Sequence, residues 1–587
     1  MNYDLNQFAG QEDEKNATFK ALRKLLTLIK DEHRTLMLAF LAILVYAGLV
    51  LLGPILIGRT VDQYIQTKQF DGVLRNAGIL LVIYLFAFGT GYAQTRLMGG
   101  VGQRTLFKLR GAVFSKLQEL PVAFFNQNKA GDLISRVNND TDKLNLFFSQ
   151  ALMQFVSSLF FITGSSLFLL SINLPLGAAA LVPALLLLVF TQATSAWVKR
   201  KNALNLRSTG DMSAEIQESL TNFKAIIAFN RRDYFRKRFD EANQDNYKTA
   251  VGAGLANNVY LPVYGISANL GQLVILTFGI YLIATDRFTI GLLVSFMSYV
   301  TNLYNNLRQL ATLWSSFQVA LAGWDRIAHL LALQSNLKTI DMPVPVASTS
   351  LLSFQQVSFG YPNGQEVLHD ITFDLERGKT YALVGPTGGG KTTTASLIAR
   401  LYDPTSGTIV LDGKDIRSYE ASERTQKVGF ILQEPFLFTG TVRDNILYSN
   451  EQYAGFSNEQ LADVIHDANL DELLARFDDG LDTNVQTSGD AISLGQKQLI
   501  AFMRAVLRNP DLLILDEATA NIDTITEKLL DDILRKLPEK TTRIIIAHRL
   551  NTIESADEIF FINAGQVTKA GSLNDAVDML LHRKRVS

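Results

Sequence analysis

The feature that most constrains this chain is a series of long apolar stretches with no ionised side chain: Thr35 to Gly58, Asn76 to Thr95, Leu144 to Val198, Thr249 to Thr285 and Phe288 to Leu307. A charge at the centre of a bilayer is costly, and about 20 apolar residues cross its hydrocarbon layer. Leu144 to Val198 is long enough for two crossings, with a hairpin expected at Asn173-Leu174-Pro175, so the chain reads as six membrane-spanning helices. Any one stretch could be a core helix of a soluble domain, but six in succession argue against that reading.

Orientation follows from the loops. Residues 96–143 and 199–248 are dense in Lys and Arg while the 171–177 turn carries none, which puts both long loops and the N-terminus in the cytosol. The first 18 residues are hydrophilic, unlike a cleavable signal peptide. Phe19, Leu22, Leu25, Leu26 and Ile29 then share one helical face among Lys20, Arg23, Lys24 and Lys30, which suits a helix lying in the lipid headgroups or a plain cytosolic amphipathic helix. Loops this long are rarely structureless, so they are expected to extend the spans as helices. Each is interrupted once: Pro121 to Asn126 breaks the first pattern and Asn128 to Asp132 offers a turn and cap, while the apolar run Asn222 to Phe229 interrupts the second. That run is either pressed against another domain or packed within a helical hairpin.

Charge and composition remove several classes. Lys plus Arg (55) nearly balances Asp plus Glu (56), so the chain lacks the basic excess of a nucleic-acid binder. It has no Cys, which excludes disulfides, thiolate nucleophiles and Cys-ligated metal centres.

The expected division is a cytosolic N-terminus with the amphipathic helix over 1–34, a membrane domain over 35–332, a Pro- and Ser/Thr-containing linker over 333–350 and a soluble domain over 351–587. Short β-branched runs at Thr380 to Val384, Val428 to Leu432, Leu512 to Leu515 and Arg543 to Ile546 alternate there with helical patterns, which predicts a parallel α/β sheet. The fold class is thus an all-α membrane domain of six helices followed by a cytosolic α/β nucleotide-binding domain.

Gly385-Pro386-Thr387-Gly388-Gly389-Gly390-Lys391-Thr392 fits the phosphate-binding pattern G-x-x-x-x-G-K-[ST], between a predicted strand and a predicted helix. The glycines let backbone N–H groups face phosphate oxygens, Lys391 neutralises β/γ charge, and the Thr392 hydroxyl, beside Thr393, suits Mg²⁺. Leu512 to Leu515 is an apolar strand running into Asp516 and Glu517, and parallel sheets gather ligands at strand carboxyl ends. Asp516 is expected to hold Mg²⁺ directly or through water, and Glu517 to orient and polarise an attacking water.

With these residues in place the chain resembles a subunit of an ATP-binding cassette transporter of the exporter type, over nearly its whole length. Ile492-Ser493-Leu494-Gly495-Gln496 resembles the family's L-S-G-G-Q signature, which caps the ATP held by a second cassette. Gln433 falls where the family's Q-loop glutamine ligates Mg²⁺, His548 where its switch histidine ends a strand, and Asp523 in a D-loop-like Asn521-Ile522-Asp523. Tyr361 resembles the aromatic that stacks on adenine. Phe124 to Asp132 and Phe223 to Phe229 look like the two coupling helices. The resemblance implies a half-transporter in the plasma membrane that dimerises, binds ATP and Mg²⁺ and moves a drug, lipid or peptide. Lookalikes that import siderophores and an ATP-gated channel remain alternatives.

Two residues depart from the pattern: Leu494 stands where the signature has its first Gly, and Thr487 where similar exporters place a glutamate. Glu517 and His548 are nevertheless present. This combination resembles one subunit of a heterodimer with one hydrolytic and one degenerate site; a tolerant homodimer is the alternative. Within the spans, Asn258, Gly265, Asn269 and Gln272, then Ser295, Ser298, Asn302, Asn305 and Gln309, recur at helical spacing. Polar groups there avoid lipid, so these are expected to line the translocation path or to bond between helices.

Overall fold

The computed structural model describes residues 3–5, 30–341, 350–362, 364, 366–433, 435–448, 450–486, 492–516, 524–546 and 556–582. The chain divides into two units, one of them made of Gln11–Leu117 and Gly131–Ala332, the other of Met1–Gly10, Gln118–Ala130 and Leu333–Ser587. The amphipathic pattern at 19–29 lies outside the described residues.

The first unit is helical. Five helices among the described residues are long and apolar enough to cross a membrane: α1 (His33–Ile65), α2 (Phe70–Glu119), α4 (Ala130–Ile172), α5 (Leu174–Thr221) and α7 (Arg232–Ala284). The short helix α6 (Phe223–Ala228) stands in the second interruption, and α3 (Val122–Gln127), which belongs to the second unit, in the first. α8 (Ile290–Ala332) is the sixth long helix, and Asn302, Asn305 and Asn306 make its first half less apolar than the others. The α4–α5 turn forms where expected. Asn173 Oδ1 accepts the Leu176 N–H at 3.0 Å, and Pro175 stands in the first helical turn, where its missing N–H costs nothing.

α8 packs against α1, α4 and α7, with Leu51, Leu169, Ile275, Phe296, Tyr299 and Leu303 in the shared core. α1 and α8 meet through small residues: a Cβ on Gly291 would lie 2.0 Å from the Gly58 carbonyl oxygen. Such backbone proximity is the usual way helices pack where no water drives them together. Asp62 closes the same contact, accepting from the Gly291 N–H at 2.7 Å and the Thr289 hydroxyl at 2.6 Å. Ser295 takes the second of its two expected roles, bonding between helices. It is buried in this crossing and bonds to the Pro54 and Gly291 carbonyl oxygens at 2.7 and 3.1 Å, because Gly58 brings the backbones within reach of its hydroxyl.

The soluble part of the second unit holds twelve strands among the described residues: β1 (Ser350–Gly360), β2 (Glu366–Glu376), β3 (Thr380–Val384), β4 (Ser406–Leu411), β5 (Lys414–Asp415), β6 (Val428–Ile431), β7 (Gly440–Thr441), β8 (Asn484–Val485), β9 (Leu512–Asp516), β10 (Thr542–Ile546), β11 (Glu558–Asn563) and β12 (Gln566–Ala570). The central sheet runs β12-β11-β3-β10-β9-β6 and is parallel from β11 to β6. β3 and β9 are buried along their whole length, as expected of parallel strands covered on both faces. A separate antiparallel sheet, β2-β1-β4-β5, packs over one face, a layer absent from the sequence reading.

Candidate functional site

Register assembles the site. Ile546 pairs with Leu383 of β3 and with Asp516 of β9, while Leu515 pairs with Ile431 of β6. The carboxyl ends of four parallel strands therefore reach one edge together. In the sequence, these strand ends are followed by the Gly385–Lys391 loop, Gln433, Glu517 and His548, residues scattered over more than 160 positions. Gln433 is exposed there. Glu517, Asp523, His548 and Thr487 lie outside the described residues.

The glycine loop sits tightly against the end of β11 and the turn after it. A Cβ on Gly385, whose φ is +150°, would meet the Ile562 carbonyl oxygen at 2.0 Å, and Gly390 at φ +116° opens helix α9 (Lys391–Ile398) in a conformation closed to most side chains. Gly389 O accepts from Gly565 N at 3.2 Å, which fixes the rear of the loop. Pro386, Thr387 and Gly388 are exposed in front of it. Lys391 folds back over the loop and donates to the Gly385 and Pro386 carbonyl oxygens at 2.9 and 3.1 Å.

Thr392 is exposed at the first turn of α9, and its hydroxyl donates to Asp516 Oδ1 at 3.4 Å. Asp516 itself is only 2% exposed. A carboxylate, a hydroxyl and an ammonium thus converge beside a loop rich in backbone N–H groups, an arrangement that can hold a polyphosphate. Thr393 faces the other way, its hydroxyl 3.1 Å from that of Tyr361. The Tyr361 ring stands edge-on to Phe359 and Tyr402, with centroids 5.0 and 5.3 Å away. Asn126 of α3 donates to the Tyr402 hydroxyl at 2.7 Å. Asn126 lies in the segment expected to be a coupling helix, but its pairing with Tyr402 is not legible in the sequence, since an aromatic and an amide 276 positions apart carry no local signal.

Ser493, Leu494, Gly495 and Gln496 open helix α10 (Leu494–Val506) of the same domain. Ser493 and Gln496 form a capping box: Ser493 Oγ accepts from Gln496 N at 3.2 Å, and Gln496 Oε1 accepts from Ser493 N at 3.0 Å. Leu494 is the first helical residue and 45% exposed. Helical backbone there does not require glycine, so the bulk of its side chain is the whole difference. Arg504 on the same helix donates to Asn445 O and Phe436 O at 2.7 and 3.1 Å, tying down the segment that follows Gln433.

In the membrane unit Asn258, Asn269 and Asn305 are exposed on the single chain, and Ser298 and Asn302 are half-buried. The Ser298 hydroxyl returns to Val294 O at 3.0 Å, and Gln272 donates to Thr301 at 3.1 Å, a bond between α7 and α8.

Two family models match the chain: the ABC transporter transmembrane region over residues 36–307 and the ABC transporter domain over 368–520. Among relatives, the uncharacterized ABC transporter ATP-binding protein YfiC of Bacillus subtilis (strain 168) is 32% identical over 98% of this chain and 95% of its own length. A fatty acid ABC transporter ATP-binding/permease protein of Mycobacterium bovis is 33% identical over 86% of this chain and 80% of its own. A multidrug resistance ABC transporter ATP-binding and permease protein of Lactococcus lactis subsp. cremoris is 30% identical over 97% and 96%.

Proposed function

The chain belongs to the ATP-binding cassette transporter family as a half-transporter, and from that premise we propose that it pairs with a different half-transporter to export an amphipathic or hydrophobic molecule from the cell. It is a multi-pass membrane ATPase coupled to transport. Relatives named for fatty acids and for multidrug resistance support a hydrophobic cargo. The amides of Asn258, Asn269 and Asn305, exposed on the single chain, would otherwise face lipid, so they support a polar path between two subunits. In this reading the subunit lies in the plasma membrane with its N-terminus and nucleotide-binding domain in the cytosol.

The approach of Thr392 to Asp516 beside Lys391 carries the catalytic half of the proposal. Thr392 and Asp516, with Gln433 on the neighbouring loop, are hard oxygen donors of the kind Mg²⁺ takes. When bound, that ion supplies charge neutralisation at the β- and γ-phosphates. Lys391 is prepositioned by its own loop, and Tyr361 is poised to pack against the base. Glu517, next in the chain after Asp516, orients and polarises water. His548 follows the paired Ile546 by two positions in the sequence and serves as the switch histidine.

The signature at Ser493 to Gln496 serves the partner's nucleotide, and the Leu494 side chain crowds that contact. The hydrolytic site is then the one built on this chain's own Lys391, Asp516 and Glu517. Affinity purification of the tagged chain from its native membranes tests the pairing. A second, different half-transporter should co-purify in equal amount, with ATPase activity that needs both. Vigorous ATPase from the chain alone would overturn the heterodimer.

A further inference from the structure

The third residue of the chain is buried in the second unit. Tyr3 is 1% exposed, and its ring stands edge-on to Phe124 of α3 with centroids 6.3 Å apart. The neighbouring backbone is bonded like a strand to side chains at the end of α3. Tyr3 N donates to Gln127 Oε1 at 2.8 Å, Leu5 N to Asn128 Oδ1 at 3.2 Å, and Asn128 Nδ2 to Tyr3 O at 3.0 Å. The far end of Tyr3 reaches the segment after α8. Its hydroxyl accepts from Asn336 N at 2.9 Å and donates toward Gln334 O and Asn336 Oδ1, 3.1 and 3.0 Å away. Burial pushes the phenol above its usual pKa, so it stays a neutral donor at physiological pH.

These contacts close a circuit. The segment after Asn336 is held by Arg400, which donates to Lys338 O at 2.8 Å, and by Ile340, whose N–H donates to Arg417 O at 3.1 Å. Two residues beyond Arg400, Tyr402 accepts from Asn126 of α3 and packs on Tyr361 beside Thr393. α3 is thus tied to the nucleotide-binding domain at one end through Tyr402, and through Tyr3 to the linker that the same domain grips.

We propose that Tyr3 is a positioning residue that latches α3 to the linker, so that movement caused by nucleotide enters the two long helices flanking α3 instead of being lost as rotation of α3 alone. The latch rests on the transporter reading above, because it assigns no chemistry to Tyr3 itself. Five hydrogen bonds at once, with the one hydroxyl proton going to Gln334 O or Asn336 Oδ1, and a buried ring gather on residues 3–5.

The test uses the full chain with its partner in lipid nanodiscs, with MgATP as the only ligand. Amide hydrogen exchange over residues 109–121 and 131–146, which flank α3, is compared with and without MgATP, alongside kcat and KM for ATP. Tyr3→Ala should shrink the nucleotide-dependent change in exchange at least threefold, with kcat and KM within about twofold. Tyr3→Phe keeps the ring on Phe124 and loses the hydroxyl, so it should speed exchange at 334–336 and leave 122–128 near normal. It is also the safeguard should Tyr3→Ala fold poorly. A full nucleotide response in both variants would overturn the latch. No response in the unmodified complex would overturn the transporter reading and the latch with it, whereas loss of kcat in step with loss of the response would reduce Tyr3 to a stabilising residue and overturn the positioning role.

Discussion

Thr392 presents its hydroxyl to Asp516 at 3.4 Å across the mouth of a strand end, so one side chain from the glycine loop and one from the central sheet share a single small volume. The expected behaviour of the ATP site follows from that sharing. Glu517→Gln should leave ATP binding nearly intact and stop turnover, because an amide keeps the shape but cannot polarise water. Lys391→Ala should instead weaken nucleotide affinity, since it removes a charge from the phosphates. Binding isotherms and phosphate release on the same preparations separate the two, and Glu517→Gln turnover within about threefold of the unmodified complex would refute the first.

α6 places apolar side chains in water on the single chain, with Phe229, just past its end, 77% exposed. A substitution so exposed should change stability by no more than about 0.5 kcal/mol. Phe229→Asp is therefore expected to keep appreciable basal ATPase while transport and its stimulation of turnover are lost. Normal transport by that variant would remove α6 from the coupling route.

Leu494 distinguishes the two assemblies. In a heterodimer Leu494→Gly alters only the capping of the partner's nucleotide and should change steady-state turnover by less than about twofold. A homodimer uses this signature at both hydrolytic sites, so the same change should raise turnover there. Its cost to the helix is about 0.5–1 kcal/mol, small enough to leave the domain folded.

Gly291 has no room for even one methyl group, because the nearest atoms are the Gly58 carbonyl oxygen at 2.0 Å and Asp62 Oδ2 at 2.5 Å. Gly291→Ala should force α1 and α8 apart at a cost of about 1–3 kcal/mol, lowering the unfolding midpoint in detergent by several degrees. Gly265→Ala on α7, where nothing lies within 4 Å, is the matched control and should leave the midpoint unchanged or slightly raised.

Residues whose role is set by their immediate neighbours were legible in the sequence. The Asn173 and Pro175 turn and the glycine loop between strand and helix carry their geometry in the backbone preferences of a few consecutive residues. The antiparallel sheet was not legible. β1 slips register against β2 between Phe354 and Val357 and again before Phe359, and each slip breaks the alternation that marks a strand. Which of its two expected roles Ser295 takes was not legible either, for a different reason. A serine on a helix shows its spacing but not its direction, and here Gly58 on another helix decides which way the hydroxyl turns. Tyr3 had no local pattern at all, since its partners lie at positions 124 to 128 and 334 to 336.

The register that joins Leu383, Ile546 and Asp516 also bears on how such a chain can change over generations. In the sequence, Glu517 and His548 follow the last described residues of β9 and β10 by one and two positions. In the function proposed above, mutation at either position should remove chemistry and leave the folded domain, its affinity for nucleotide and its fit to a partner. A duplicated gene for a symmetric pair could therefore drift at one catalytic edge without being purged as misfolded, and lopsided pairs in which only one site turns over become an easily reached outcome of this sheet.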